Sequence, residues 1–379
     1  MTAPSIFDAE YVRDQLGAAR ELTRNQLYSQ YKDAASGPVS PHRAFHADWY
    51  RWQNPDSAAF PTLLDHYLER SADRVIDPAP WIDMTLLKRQ FDTEPTAAEL
   101  LDLALMPGWS AEQGVSAGPG DLARKQRDFL RGIRLRVIRP PRPVEHRKKR
   151  LVWVQHGPGS RFLDWFDPKA DRSWDLAMNW YTGEPDAQIG DCVLHQPGTK
   201  FTGIFSAAAS IPGFFDGYEQ IYFIDDDLGF AFDDLDRIFD IAQAEELDLF
   251  QASVSAGSFC VWPDLFHKPG RTTREMTAVE IMAPGFSALA LHRVISCFSL
   301  SISGFGIDVL AGRIIGLHGG RIAVIDAVQM DHHSEIDQTE GAYYELLRRH
   351  GINSKYELWC MMKRYGLTPE FSEVKGGIG

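Results

Sequence analysis

Cysteine is scarce in this chain, and its positions suggest no metal or redox motif. The sequence contains 4 cysteines, and none has C-x-x-C spacing to another. A zinc ribbon and thioredoxin-type chemistry are therefore not predicted. Scattered thiols that stay reduced are typical of a cytosolic protein, so we expect a cytoplasmic location.

A secretory leader and a membrane-spanning segment are not expected from the sequence. Residues 1–10 do not show the basic and then apolar pattern of a signal peptide. No run of about 18 apolar residues occurs, so no membrane-spanning helix is expected. The apolar stretch 281–291 contains Pro284 and Gly285, and it is typical of a buried core segment.

An excess of basic residues and the common phosphate-binding loops are absent as well. The formal net charge of −13 argues against a general nucleic-acid-binding surface, although a local basic patch remains compatible with it. The Gly157-Pro158-Gly159 turn matches neither G-x-G-x-x-G nor the Walker A pattern. A length of 379 residues allows two or three domains.

Residues 1–106 carry a weak internal repeat that predicts a helical N-terminal module. The segments 6–11 and 44–50 resemble each other, and 80–87 is a more divergent third copy. Short helical units that cannot bury an apolar face alone stack on one another. We therefore expect a small all-α domain. Its residues show no pattern that indicates a chemical function.

Residues 107–150 are predicted to be a linker. Glycine and proline are frequent in 107–120, and 131–150 is rich in arginine and lysine with prolines that prevent one continuous helix. One interpretation is peripheral contact of 131–150 with anionic lipid at the inner face of the membrane, where each basic residue adds about 1 kcal/mol. The alternative is a solvated linker that leads into the next strand.

Residues 151–350 alternate between strand and helix patterns. Strand-like apolar runs occur at 151–154, 175–181, 192–194, 220–224 and 248–254. Helical segments are predicted at 202–210 and 234–246. This alternation predicts an α/β fold, a mostly parallel sheet flanked by helices. Residues 351–379 are predicted to form a C-terminal helix, over 353–365, and a tail.

Three consecutive carboxylates follow one of these strands. The apolar run 221–224 leads directly into Asp225, Asp226 and Asp227. The carboxyl ends of strands are where ligands bind in open α/β sheets. Mg²⁺ and Mn²⁺ prefer oxygen ligands and often share carboxylates with phosphate. The segment therefore predicts a metal–diphosphate site, and the alternative is a solvated acidic turn that begins a helix.

Three later segments place polar groups at the ends of apolar runs or inside them. Glu280 lies in the apolar run 279–287, and Asp308 follows two glycines. The strand-like run 323–330 leads to His332 and His333, and imidazole is a good ligand for Mn²⁺. The acids can also be explained as helix caps or ion-paired core residues, and a lone histidine is more often a surface residue.

Taken in this order, the segments resemble the GT-A class of nucleotide-sugar glycosyltransferases, and more narrowly the plant and bacterial domain-of-unknown-function family 707. That family has a strand into Asp-Glu-Asp-Leu-Gly, then Val-Glu-Met-Met-Ala-Pro-x-Phe-Ser, Gly-Leu-Asp, and Val-Val-Asp with a nearby His. The matching segments here are Asp225-Asp226-Asp227-Leu228-Gly229, Val279-Glu280-Ile281-Met282-Ala283-Pro284-Gly285-Phe286-Ser287, Gly306-Ile307-Asp308, and Val324-Ile325-Asp326 with His332. The likeness covers residues 175–335, with Asp226 where the family has Glu. Residues 45–80 resemble a module of bacterial polysaccharide-synthesis proteins.

The resemblance implies a GT-A fold and a metal-dependent glycosyltransferase. The donor would be a nucleoside diphosphate sugar, with a UDP-sugar favoured, and the acceptor a saccharide or lipid-linked saccharide in cell-surface polysaccharide synthesis. Mn²⁺ or Mg²⁺ would be held by Asp227, with Asp225 and His332. Asp225 could instead face the ribose or reach the ion through water, and His333 remains an alternative to His332.

The resemblance also implies roles for other residues. Asp225 and Asp226 would contact the donor, with Lys200 at its phosphates and His156 near its base. A solvated surface lysine is the alternative for Lys200. An inverting transfer needs a group that deprotonates the acceptor hydroxyl. Asp308 is the first candidate for this base, and Glu280 is the second.

Two other functions are compatible with the sequence. The first is a non-catalytic scaffold or carbohydrate-binding protein on a transferase fold. The second is a metal-dependent phosphoesterase, which would need more His and Asp ligands near the three aspartates. The donor sugar, the anomeric outcome and the oligomeric state stay open at this point.

Overall fold

The computed structural model describes residues 2–34, 37–93, 95–115, 121–333 and 341–374. The chain divides into two compact units, Met1–Lys125 with Thr339–Trp359, and Gln126–Gln338 with Cys360–Gly379. The sequence predicts that residues up to 350 belong to the catalytic domain, whereas this division groups 341–359 with the N-terminal helices. None of the described helices is both long and apolar enough to cross a membrane.

The described residues form 14 α-helices in chain order. They are α1 (Ala9–Leu16), α2 (Arg24–Asp33), α3 (Ala47–Gln53), α4 (Leu63–Arg70), α5 (Met84–Lys88), α6 (Ala97–Leu103), α7 (Leu122–Gly132), α8 (Phe162–Trp165), α9 (Lys200–Ser210), α10 (Asp234–Ala244), α11 (Ala288–Val294), α12 (Ile307–Leu317), α13 (Ala342–Arg349) and α14 (Ser354–Tyr365). Short 3-10 turns lie at Pro55–Ala59, Ala111–Gln113, Val144–His146, Pro263–Leu265 and Ile295–Ser299.

The described residues form ten β-strands. They are β1 (Arg136–Arg139), β2 (Arg150–His156), β3 (Trp174–Trp180), β4 (Cys192–His195), β5 (Gln220–Asp225), β6 (Leu228–Gly229), β7 (Leu249–Val254), β8 (Thr273–Glu275), β9 (Gly285–Ser287) and β10 (Ile322–His332). The positions of β2, β3, β4, β5, β7 and β10 agree with strand-like runs of the sequence to within a few residues, whereas no such run was predicted at β1, β6, β8 or β9.

The sequence repeat in the first unit corresponds to one repeated local structure. Asp8, His46 and Asp83 are the N-caps of α1, α3 and α5, and each side chain accepts a hydrogen bond from the backbone N–H three residues later. Each cap's own N–H donates to a backbone carbonyl later in the chain, at residues 41, 78 and 114, and the first two of these carbonyls lie just before the next copy. The three copies are therefore linked in series by equivalent backbone bonds.

The second helix of each repeat begins in the same way as well. Thr23, Thr62 and Thr96 cap α2, α4 and α6 with their side chains. Such a cap contributes about 1 kcal/mol to helix stability. The first unit thus contains three helix pairs with the same start signals, although the sequence likeness between the copies is low.

Aromatic and histidine side chains of the second repeat fill the interior of the first unit. The Tyr50 hydroxyl is 2.7 Å from His66 Nδ1, and His66 Nε2 lies 3.3 Å from Asp56 Oδ2. Asn54 Nδ2 donates to the Tyr50 carbonyl at 3.0 Å. Tyr50 and His66 are fully buried. These contacts give the motif residues of 45–80 a structural role inside the unit.

The second unit is an α/β structure around one mixed sheet of ten described strands. The strand order is β1-β4-β3-β2-β5-β9-β7-β10-β6, and β8 pairs with residues 323–325 of β10. The pairs β2–β3, β2–β5, β3–β4 and β7–β10 are parallel. The five remaining pairs are antiparallel. The prediction of a mostly parallel sheet is therefore wrong, because the sheet is mixed.

A short antiparallel strand, β9, causes much of this difference. It lies between β5 and β7 and pairs with both. Gly285 is opposite Tyr222 and Phe250, whose rings stack at 5.9 Å. A Cβ on Gly285 would lie 2.2 Å from the Phe250 ring, so only glycine fits at this crossing. A three-residue strand of this kind has too little periodicity to be recognised from sequence.

The stretch predicted as a linker contains regular structure. Its described part includes α7, β1 and two of the 3-10 turns, and its role as a connection between domains stays a prediction. Several of its basic side chains are used inside the unit. Arg142 Nη2 lies 2.6 Å from Asp191 Oδ1, and Arg147 Nη1 donates to three backbone carbonyls at residues 213, 214 and 216. Contact of this stretch with lipid stays a prediction that rests on its remaining charges.

Candidate functional site

The three aspartates lie at the carboxyl end of the central strand β5. Residues 221–224 of this strand are fully buried, and Asp225 is its last residue. β5 lies between β2 and β9 in the sheet. The backbone N–H of Asp225 donates to the Met282 carbonyl at 3.1 Å, which brings the segment before β9 to the same edge. The sheet therefore places Asp225 beside the segment that contains Glu280.

Lys200 connects these two segments. It is the first residue of α9 and is almost completely buried. Its Nζ lies 2.7 Å from Asp225 Oδ1, donates to the Met282 carbonyl at 2.9 Å and also donates to the Ile281 carbonyl. An ammonium group has three donors, and all three are used here. Lys200 therefore has no unused donor for a phosphate in this structure, and its burial does not fit a solvated surface lysine.

The surroundings of Asp225 disfavour its charged form. Burial raises the pKa of this carboxyl, the ammonium of Lys200 opposes the shift, and the charge of Asp227 adds to it. The ion pair with Lys200 is the main interaction that keeps Asp225 ionised. A metal ion that used Asp225 as a ligand would have to share it with this lysine.

Asp227 is paired with His332 instead. His332 Nε2 lies 3.2 Å from Asp227 Oδ2, and His332 Nδ1 lies 2.5 Å from the Phe259 carbonyl. The backbone N–H of His332 donates to Ser258 Oγ at 3.1 Å. Burial alone would lower the pKa of His332, but the hydrogen bond and charge of Asp227 raise it to about 9. Of the two candidate histidines, His332 contacts the Asp227 carboxylate with its ring, whereas the backbone N–H of His333 donates to the Asp227 carbonyl at 3.4 Å.

Asp226 has a different neighbour, which the sequence did not reveal. The Tyr181 hydroxyl donates to Asp226 Oδ2 at 3.4 Å, and the Arg161 N–H donates to the Asp226 carbonyl at 2.6 Å. Burial, followed by the charges of Asp227 and Asp225, raises the pKa of Asp226 to about 8. Tyr181 follows a strand directly, and this position at the carboxyl end of the sheet is the only signal that could have found it.

Glu280 carries a buried oxygen that has no hydrogen-bond partner among the described residues. This oxygen is Oε2, while the Glu280 N–H donates to Gln251 Oε1 at 2.6 Å. Burial raises the pKa of Glu280 to about 8, and the charge of Asp308 adds to this rise. A buried carboxyl oxygen without a partner is costly, so it is a good candidate for contact with a ligand.

Asp308 lies near Glu280, but its carboxyl group has a hydrogen-bond partner. It is in the first turn of α12, and its Oδ1 accepts a hydrogen bond from the Val309 N–H at 2.8 Å. Burial raises the pKa of Asp308 to about 7, and backbone N–H groups oppose this rise. Gly306 precedes the helix with φ of 85°, a conformation that favours glycine. The glycine thus allows the turn that carries Asp308.

His156 is at the same edge of the sheet, at the end of β2, but in an apolar environment. Its ring centre lies 4.3 Å from that of Trp180, and its Nδ1 has no hydrogen-bond partner among the described residues. Burial lowers the pKa of His156 to about 4, so the ring is neutral at physiological pH. The Tyr181 N–H donates to the His156 carbonyl at 3.0 Å. This contact places His156 beside the Asp226 side of the site.

The predicted metal set is only partly assembled. Asp227 and His332 are in contact, and a carboxylate with an imidazole suits Mn²⁺. Asp225 is engaged by Lys200. Within the described part of the chain, no group of three or more His, Cys, Asp or Glu side chains is arranged to hold one ion. Asp227 and His332 therefore fit as two ligands of a metal whose other ligands would come from a bound substrate or water.

Comparison with known proteins assigns this chain to no family. Neither a model of a known protein family nor a curated protein matches the chain. The class that the fold defines is an α/β protein with a mixed ten-stranded sheet, with polar residues collected at the carboxyl end of β5.

Proposed function

We propose that the protein is a metal-dependent glycosyltransferase with a GT-A fold and a small all-α N-terminal domain. It would transfer a sugar from a nucleoside diphosphate sugar, with a UDP-sugar favoured, to a saccharide acceptor in cell-surface polysaccharide synthesis. The observation that supports this most is a convergence of three segments. The Lys200 bridge joins the end of β5 to residues 281–282, and the Asp227–His332 contact joins it to the end of β10.

The convergent groups suit the binding of a diphosphate with a divalent ion. Asp225, Asp226 and Glu280 all have raised pKa values, and a cation among them would favour their charged forms. Asp227 and His332 would hold Mn²⁺ or Mg²⁺. When bound, that ion neutralises the charge developing on the leaving diphosphate. Lys200 keeps Asp225 and the 281–282 backbone fixed around the donor.

Glu280 suits the role of general base better than Asp308 does. A base works best when its pKa lies near the working pH, and both carboxyls meet this condition. Glu280 has an oxygen without a partner, while Asp308 already accepts from the backbone. We therefore reverse the order suggested by the sequence. Glu280 would take the acceptor proton, and Asp308 would tune the pKa of Glu280 through its charge.

Replacing Glu280 by glutamine should lower kcat by roughly 10²–10⁴-fold, as expected for loss of a general base. The wild-type rate should rise with pH through the pKa of Glu280, since the base must be deprotonated. Asp308→Asn should shift this rise to lower pH, because the charge of Asp308 raises the pKa of Glu280. Rate profiles from pH 5 to 10 measure both effects. A large kcat loss in Asp308→Asn together with normal turnover in Glu280→Gln would contradict this assignment.

Nucleotide binding tests the proposed function directly. Calorimetry with UDP, GDP, CMP and their sugars, each with Mn²⁺ and with EDTA, should show metal-dependent binding of one nucleotide class. That class would identify the donor. Binding of no nucleotide under either condition would overturn the transferase proposal in favour of a carbohydrate-binding or scaffold protein. Nucleotide consumption without an acceptor would show slow donor hydrolysis.

A further inference from the structure

A cavity of about 520 Å³ lies next to the candidate site and is lined in part by residues of β6 and of the end of β10. Its volume is within the range of small-molecule binding sites. The lining residues used below are Trp165, Phe230, Asp234, Gln329, Asp331 and His333. Neither the candidate site nor the proposed chemistry uses these side chains.

Strand periodicity explains how β10 serves both places. Side chains alternate between the two faces of a strand, so Gln329, Asp331 and the following His333 share one face, and His332 points to the other. His332 contacts Asp227, while Gln329, Asp331 and His333 line the cavity. Gly229 allows the close approach of His333, since a Cβ there would lie 2.7 Å from His333 Nε2. One strand thus connects the candidate site to the cavity.

The polar groups on this face are available for a ligand. The side chains of Gln329 and His333 form no hydrogen bond with any other described residue. Asp331 Oδ1 accepts a hydrogen bond from Ser255 Oγ, which leaves Oδ2 as an acceptor for a ligand. An amide, a carboxylate oxygen and an imidazole offer both donors and acceptors. This combination suits a ligand with several hydroxyl groups.

The lining of the cavity also includes apolar ring surface. Trp165 packs against Phe230 with ring centres 5.5 Å apart. The indole N–H of Trp165 donates to the Leu228 carbonyl at 2.9 Å. Because this N–H is the only polar group of the side chain, the part of Trp165 that reaches the cavity is apolar. Phe230, which also lines the cavity, is largely buried.

The charges around the cavity are mostly paired within the protein. Asp234 Oδ1 lies 3.0 Å from Arg237 Nη1, and its Oδ2 accepts from the Ala231 N–H at 3.1 Å. Arg161, also at the cavity, lies 3.4 Å from Asp164. The described lining residues therefore include no unpaired arginine or lysine that could bind an anion. A neutral ligand fits this balance of charge better.

We propose that this cavity binds a neutral saccharide, as a subsite for the acceptor chain away from the sugar that is glycosylated. Hydroxyl groups would bond with Gln329, Asp331 and His333, and the C–H face of a sugar ring would pack against Trp165. The inference rests on the proposed function, since it names the chemical class of the acceptor. Binding remote parts of a substrate supplies energy that can be used at the reacting centre.

The experiment measures saccharide binding without nucleotide or metal. Full-length protein is titrated with methyl glycosides of glucose, galactose, mannose and N-acetylglucosamine, and with maltotriose, cellotriose and chitotriose, by calorimetry and saturation-transfer NMR. At least one trisaccharide should bind more tightly than its monosaccharide. Gln329→Ala should raise its Kd by roughly 2–10-fold, which corresponds to one hydrogen bond. Trp165→Ala should raise it by about tenfold, and Trp165→Phe by less.

Two matched substitutions serve as controls. Trp109, in the first unit, also donates its indole N–H to a backbone carbonyl, that of Leu103, at 2.6 Å. Gln188 is an exposed glutamine that does not line the cavity. Trp109→Ala and Gln188→Ala should leave the Kd unchanged. The exposed Gln329 keeps the test valid even if Trp165→Ala fails to fold.

The outcomes separate this inference from the proposed function. Binding of none of these saccharides, or binding that Gln329→Ala and the Trp165 variants leave unchanged, would overturn the subsite even if nucleotides bind. Saccharide binding that these variants weaken, in a protein that binds no nucleotide, would support the cavity as a saccharide site and remove the transferase role. In an active enzyme, Gln329→Ala should raise KM for the acceptor more than it lowers kcat.

Discussion

Asp227→Asn is expected to abolish sugar transfer while the fold stays intact. Asparagine keeps the shape of the side chain but removes the charge that a divalent ion needs from its ligand. Asp227 is also the only carboxylate of the three aspartates in ion-pair distance of His332 among the described residues. The loss should appear as absent turnover with Mn²⁺ and absent metal-dependent nucleotide binding, with an unchanged circular dichroism spectrum.

The same variant has a consequence that does not depend on activity. Burial lowers the pKa of His332, and Asp227 more than compensates, to about 9. Without the charge of Asp227, the pKa of His332 should fall, so the imidazole becomes neutral at a lower pH. NMR titration of the His332 ring in metal-free protein measures this change. Transfer at the wild-type rate in Asp227→Asn would remove this residue from the mechanism.

Asp233→Asn is a suitable control for Asp227→Asn. Asp233 is exposed at the start of α10 and forms no capping hydrogen bond with its side chain. The substitution removes the same charge from a nearby part of the chain. Turnover and the pKa of His332 should both stay unchanged. A similar loss in the control would point to a general effect of charge instead of the Asp227–His332 contact.

Local patterns in the sequence were sufficient to predict the positions of the strands that carry the candidate site. The apolar runs located β2, β5 and β7, and three acids after a strand were enough to place them at its carboxyl end. The repeat in the first unit was also visible, because an apolar residue followed by a capping side chain begins α1, α3 and α5. These features depend on residues close to each other in the chain.

Contacts between distant segments were not predictable in the same way. The sequence suggested Lys200 as a phosphate ligand, because a lysine at the start of a helix usually has unused hydrogen-bond donors. Only the fold shows that two carbonyls and Asp225 accept from its ammonium group. The pairing of Asp226 with Tyr181 joins the ends of two strands. The antiparallel insertion of β9 depends on the space that Gly285 leaves beside Phe250. Each of these features requires the assembled sheet.

Arg274→Met is expected to lower the free energy of unfolding by about 3–5 kcal/mol, the usual cost of removing one partner from a buried ion pair. Arg274 Nε lies 2.5 Å from Asp326 Oδ2, and both side chains are fully buried. The guanidinium also donates to the carbonyls of Asp264 and Phe266, at 2.6 and 2.8 Å. Methionine would leave the Asp326 carboxylate buried with no cation in hydrogen-bond contact. Urea denaturation followed by tryptophan fluorescence measures the loss.

A surface pair provides the control for this prediction. Lys149 and Glu219 are 3.0 Å apart, and their side chains are 70% and 56% exposed. Lys149→Met should therefore change stability by only about 0–1 kcal/mol. The double variant Arg274→Met, Asp326→Leu should recover much of the lost stability, since it removes the unpaired charge as well. A loss in Arg274→Met no larger than in the control would contradict the prediction.

The position of Asp326 connects this ion pair to the candidate site. The register between β10 and β7 shifts between Ile325 and Gln329, so Asp326 lies in the irregular part of β10 that precedes His332. The Lys268 N–H also donates to Asp326 Oδ1 at 2.9 Å, which holds the neighbouring loop against this part of the strand. If the double variant regains stability but not activity, the ion pair also sets the register that brings His332 to Asp227. If both return, its role is limited to stability.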